Sequence, residues 1–181
     1  MREFDEMKLA RVIDACGGVD GRVKLQKIVY LLKVMGFDLP FDDFVVRQHG
    51  PFSRAVACSA DVLKAAEMVS ERCDELGPAP GGECVRQYAY SVRDDVARLI
   101  RQHFDVTPSK GKPPLDVVAA ELKGQDRAVL EVAATRLFLE REGRLKGDRL
   151  DAELSRLKGH LSSSFAAADR FLADLRSKSW L

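Results

Sequence analysis

Between Arg22 and Met35, the residues Leu25, Ile28, Val29, Leu32 and Met35 recur at i, i+3, i+4, i+7 and i+10, and Gly36 follows at once. That spacing puts five apolar side chains on one stripe of a helix, and a glycine directly behind it supplies the stop. A stripe of this kind needs a core to face, so neighbouring segments must fold against it. Upstream, Leu9, Val12, Ile13 and Cys16 predict a first helix from Glu3 to Cys16, closed by Gly17-Gly18.

Downstream, Phe37 to His49 contains Pro40 and the β-prone pair Val45-Val46, which reads as a loop with a short extended piece leading into His49-Gly50-Pro51. A third helix is expected next, with Phe52, Ala55, Val56, Ser59, Val62, Leu63 and Ala66 on one face. Pro51 suits its first turn, where a missing N–H costs nothing. Two β-prone stretches, Met68 to Cys73 and Glu83 to Val92, then flank a Gly- and Pro-rich turn and predict a hairpin with a mobile tip. Three helices followed by a hairpin is the order of a winged helix-turn-helix, an architecture that carries no function by itself.

After a helix from Arg93 to about His103, Thr107-Pro108-Ser109-Lys110-Gly111-Lys112-Pro113-Pro114 reads as a linker. The expected organisation of the 181 residues is therefore a winged-helix-like region over 1–106, a linker over 107–114 and a helical region over 115–181 packed on it. That last region shows helical patterns over Leu115–Leu122 and Asp126–Arg141, the second with Leu130, Ala133, Ala134, Leu137 and Phe138 on one side. Leu150, Leu154 and Leu157, then Leu161, Phe165, Ala168, Leu172 and Leu175, predict an antiparallel pair; the seam is short for a dimerising coiled coil. The fold class is mainly α with a small β-hairpin.

A formal net charge of +1 removes the simplest electrostatic case for a nucleic-acid or membrane partner. Local charge points the same way. The third helix balances Arg54 and Lys64 against Asp61 and Glu67, and Met68 to Val92 sets Arg72 and Arg86 against Glu71, Asp74, Glu75 and Glu83. A DNA-reading helix and wing need cations at those places, so phosphate should be repelled. The more basic stretch is Arg22, Lys24, Lys27 and Lys33, read either as a solvated face or as a contact for an acidic partner. The N-terminus alternates charged and apolar residues without the apolar run of a secretion signal, and no stretch approaches about 18 apolar residues. The expectation is a cytoplasmic, non-membrane protein whose Cys16, Cys58, Cys73 and Cys84 are reduced; Cys58 and Cys73 would fill core volume, with a Cys73–Cys84 strand contact as the alternative.

Catalytic patterns are missing. No Gly-flanked nucleophile occurs, Ser162-Ser163-Ser164 lies within the last helical pattern, and Gly17-Gly18-Val19-Asp20-Gly21 lacks the Lys-Ser/Thr of a phosphate loop. His49, His103 and His160 are widely spaced and form no metal motif. No cofactor or metal is expected. His49 stands out because the adjoining Gly-Pro turn could aim it outward, with a structural hydrogen bond as the alternative.

Lys24-Leu25-Gln26-Lys27-Ile28-Val29-Tyr30-Leu31-Leu32, followed about twenty residues later by His49-Gly50-Pro51-Phe52-Ser53, resembles the paired signature of the Panacea domain. Leu130 to Leu139 and the final amphipathic helix resemble the C-terminal part of the YwgA-like group of bacterial proteins. The first resemblance implies a non-enzymatic module, some members of which neutralise toxins by direct binding or, as in SocA-like proteins, hand a toxin to a protease; the second implies no established activity. The expected partner surface is Lys24, Lys27, Arg47, His49, Pro51, Phe52 and Arg54. Two other readings stand beside it: a DNA-binding regulator acting as a homodimer, and a hydrolase with a site assembled around His49.

Overall fold

A computed structural model describes residues 4–78 and 84–181. The apolar stripes named above fold into α1 (Asp5–Ala15), β1 (Val19–Asp20) and α2 (Arg22–Val34), followed by a tight hairpin of β2 (Val45–Arg47) and β3 (Gly50–Phe52). Then come α3 (Arg54–Ala65), the longer hairpin of β4 (Val69–Pro78) and β5 (Cys84–Val92), and α4 (Asp94–His103). The remainder is α5 (Leu115–Gly124), α6 (Arg127–Arg141), α7 (Gly147–Lys158), a 3-10 turn (Gly159–Ser164) and α8 (Phe165–Ser177). The mainly α class with a small antiparallel sheet is what the periodicities dictate. The expected Gly-rich hairpin tip and the start of the first helix fall partly on residues 79–83 and 1–3, which lie outside the described residues.

β1 pairs antiparallel with β5, which pairs with β4, giving the order β1-β5-β4. Together with α1, α2 and α3 this is the winged-helix connectivity. β1 is only two residues long and carries no periodicity, which is why sequence patterning passes over it.

Alpha-2 ends as its glycine demands. Gly36 takes φ +90°, and its N–H reaches the Lys33 carbonyl at 3.0 Å while the Phe37 N–H reaches the Leu32 carbonyl at 3.1 Å. These are the paired bonds of a left-handed helix C-cap.

Three local expectations need correction. Pro51 is not in the first turn of α3 but in β3, paired with Val46. The helix instead opens at Ser53, whose side chain accepts the Val56 N–H at 3.0 Å, a serine N-cap. Its buried face is Val56, Ser59, Ala60 and Leu63, while Ala55, Val62 and Ala66 of the expected face are exposed. Cys58 and Cys73 are exposed free thiols rather than core fillers, and Cys73 lies opposite Tyr88 instead of Cys84. Ser162, Ser163 and Ser164 form the 3-10 turn that precedes α8.

One apolar cluster runs from Leu9 of α1 to Leu175 of α8, so both halves of the chain share a core. Alpha-6 lies at its centre: Leu130, Val132, Ala133, Ala134, Leu137 and Leu139 are all buried, and α2, α7 and α8 pack on it. A helix covered on most sides shows no clean stripe, so the one-sided face expected for it was too narrow. The terminal helices each pack on α6 more than on one another. The 107–114 segment is pinned rather than loose: the Asp38 N–H donates to the Thr107 carbonyl at 2.9 Å and the Ser109 N–H to the Gly36 carbonyl at 3.0 Å.

Candidate functional site: a groove over a buried charge cluster

Lys27 lies about 200° round α2 from Leu25 at 100° per residue, opposite the apolar stripe. An isolated helix would expose it. Here the β2–β3 hairpin and α6 cover that side, and Lys27 is only 2% exposed. Its ammonium donates to the Pro51 carbonyl at 2.6 Å. From α7, the fully buried Lys158 donates to the Gln48 carbonyl and, at 2.7 Å, to the carboxylate of Glu131, itself 3% exposed. Two buried ammoniums thus grip backbone carbonyls on either side of the His49-Gly50 turn, and one carboxylate from α6 sits among them. Burial pushes the Lys27 amine down from 10.5 to about 7; the Glu131 charge opposes that fall and the Lys158 charge adds to it.

Gly50 makes this approach possible. It has φ +83°, and a Cβ there would stand 2.4 Å from Thr135 Oγ1 and 3.4 Å from Lys27 Cε. Only a residue without a side chain fits. Next to it, Gln26 holds the start of α3 in both directions: its Nε2 donates to the Ser53 carbonyl at 3.0 Å and its Oε1 accepts the Ser53 N–H at 2.8 Å. Asp43 accepts the Ser53 hydroxyl and, at 3.0 Å, the Ala55 N–H. Those bonds hold the Asp43 carboxyl below its usual range although partial burial opposes them. The two sequence signatures are therefore halves of one clasp, with Gln26 and Lys27 from the first holding Ser53 and Pro51 of the second.

Above the clasp, α2, the small hairpin and α3 enclose a groove of about 420 Å³. Leu25, Val56 and Ala60 are buried at its floor with the half-buried Phe52 beside them, and Arg22, Arg47 and His49 stand exposed at its edge. The Arg47 guanidinium lies over the Phe52 ring at 4.5 Å and meets no carboxylate among the described residues. His49 is 47% exposed, with Nδ1 3.7 Å from Glu131 Oε2. At the other end Arg22 pairs with Glu71, its Nε 2.9 Å from Oε1. Glu71 also takes Lys64 at 2.8 Å and bonds the buried Tyr90. Burial, then that bond, pushes the Tyr90 phenol up.

Of the seven residues expected to meet a partner, Lys27, Arg47, His49 and Phe52 line this groove. Pro51 is buried beneath it as the acceptor for Lys27. Lys24 and Arg54 fall outside: the Lys24 ammonium donates to the Lys123 carbonyl at 2.6 Å, and Arg54 is exposed on α3. The basic face expected on α2 is not a free surface. Lys33 is likewise engaged, donating to the Leu39 carbonyl at 2.7 Å. Sequence reading missed Val56, Ala60, Asp61 and Tyr90 as groove residues. Val56 was already on the apolar face expected for α3, and Ala60, four residues on, lies on the same side.

The hydrolase arrangement is not formed: among the described residues, His49 faces Glu131, and no serine or cysteine hydrogen-bonds to it. Nor do three metal-ligating side chains cluster among the described residues. No described helix is long and apolar enough to cross a membrane. Compared with known proteins, the chain matches no family model and no curated protein.

Proposed function

We propose that the protein works by binding another protein, as an antitoxin-like or adaptor module, and that the groove between α2, the β2–β3 hairpin and α3 is the contact surface. The observation that carries this reading is the groove itself: an apolar floor of Leu25, Val56 and Ala60 under an exposed edge of Arg22, Arg47 and His49. Buried apolar pockets ringed by polar groups are where interface anchors seat and where most binding energy concentrates. The clasp supports the same reading, because a preorganised pocket loses little conformational freedom on binding. It also agrees with what the resemblance to the Panacea domain implies.

A photoreactive residue at Ala57, inside the groove, tests the proposal against one at Arg98 on α4, which packs on α1 instead. The expected result is one protein adduct from position 57 in native extract, reproduced with the purified partner and lost in Arg47→Glu. Equal adducts from both positions, or none from position 57, would overturn it.

The β1-β5-β4 topology favours a second reading, a DNA-binding regulator acting as a dimer. Weighing against it, the exposed charges of α3 are Arg54, Asp61 and Lys64, and Lys64 is already bound to Glu71. A mobility-shift titration separates the two, since a DNA complex must weaken steeply as salt rises.

A further inference from the structure

The groove is electrically lopsided. At its hairpin end stands Arg47, which meets no described carboxylate, with the exposed His49 beside it; beneath them the charge of Lys158 is met by Glu131, and burial disfavours the charged form of Lys27. The charge left without an opposite partner at that end is the Arg47 guanidinium. At the far end Arg22 and Lys64 are matched by Glu71 and Asp61. The floor between the ends is apolar. A volume of about 420 Å³ takes one large side chain with its neighbours, not a folded domain.

Resting on the reading of the protein as a binding module, we propose that the groove receives a partner segment in which an aromatic or large aliphatic side chain is followed directly by Asp or Glu. The apolar side chain lies on Leu25, Val56 and Ala60. The carboxylate takes the guanidinium of Arg47 at the hairpin end, with His49 beside it. Arg47 is poised for this role because its guanidinium already rests on the Phe52 ring, so holding it costs little added order. A cationic segment is disfavoured at the same place by the unpaired Arg47 guanidinium.

The test uses the intact chain and three capped dipeptides: acetyl-Phe-Glu-amide, acetyl-Phe-Gln-amide and acetyl-Phe-Lys-amide. Amide-resolved NMR titrations are expected to move Gly50, Phe52 and Ala57 saturably with the Glu peptide. The Gln peptide should bind about tenfold more weakly, and the Lys peptide weaker still. Arg47→Met should cost the Glu peptide about tenfold and leave the Gln peptide nearly unchanged. Arg54→Met, which removes the same charge outside the groove, should change neither. Indifference to peptide charge, or equal effects of Arg47→Met and Arg54→Met, overturns the proposal. If Ala57 still gives a protein adduct in that event, the binding module stands with a different partner chemistry; if it gives none, both readings fall.

Discussion

Glu131 on α6 and Lys158 on α7 meet at 2.7 Å with side chains 3% and 0% exposed, and the same lysine binds the Gln48 carbonyl. The pair joins the C-terminal helices to the hairpin that walls the groove. Removing one member of a buried pair strands the other, and that asymmetry governs the first expectation. Glu131→Gln should lower unfolding stability by about 3 to 5 kcal/mol in urea titration. A loss below about 1 kcal/mol would show that water reaches the site and that the pair is not sealed.

Lys27 predicts an unusual pH profile. Its amine titrates near 7 in the fold and near 10.5 when exposed, so between those values the unfolded chain holds a proton that the folded chain has released. Stability therefore rises with pH across that window. Cys16 acts oppositely: burial pushes its thiol from 9.0 up to about 12, so the unfolded chain ionises first and stability falls above pH 9. Denaturation midpoints should climb from pH 7 to about 9 and then flatten or drop. Lys27→Met should erase the climb. A profile of unchanged slope in that variant would assign the titration elsewhere.

Gly50→Ala should be among the most damaging single-methyl additions. Its Cβ would enter the space of Thr135 Oγ1 with φ at +83°, and both effects together should cost about 2 kcal/mol or more. Gly124→Ala, at a helix end where a Cβ meets nothing within 4 Å, serves as the control and should fall within about 0.5 kcal/mol of the parent. Thermal unfolding of the two variants side by side decides the matter.

Ser53→Ala removes the cap of α3 and the donor to Asp43, and should cost about 1 to 2 kcal/mol. Gln26→Leu leaves the buried Ser53 N–H unmatched and removes one of the two donors to its carbonyl, and should cost a similar amount. Because both act on one clasp, the double variant should lose less than the sum. Strict additivity in chemical denaturation would mean that the two residues stabilise separate features.

Thiol chemistry gives a readout of burial. Cys58 and Cys73 are exposed, whereas Cys16 is buried with its ionisation suppressed. Iodoacetamide followed by peptide mass spectrometry should modify the first two in the folded protein and Cys16 only once the chain unfolds.

Much of the helical frame was legible because it is written in short-range periodicity. The α2 stripe and its Gly36 stop follow from spacing within about a dozen residues, and the long hairpin from two neighbouring β-prone runs either side of a Gly- and Pro-rich turn. Lys27 was legible as part of a motif but not as an interior residue, since its burial depends on the β2–β3 hairpin and on α6, the latter about one hundred positions along the chain. Helical-face logic places a lysine opposite an apolar stripe in solvent, and only the covering hairpin reverses that. The Pro51 misplacement has a similar origin. Proline fits a helix start and an edge strand equally well, and the deciding bond is made by Gln26 from another element.

The grip of Lys158 on the Gln48 carbonyl spans 110 positions. During synthesis, the hairpin therefore leaves the ribosome long before the ammonium that locks it. Nascent chains stopped short of α7 should carry a β2–β3 hairpin that lacks this lock.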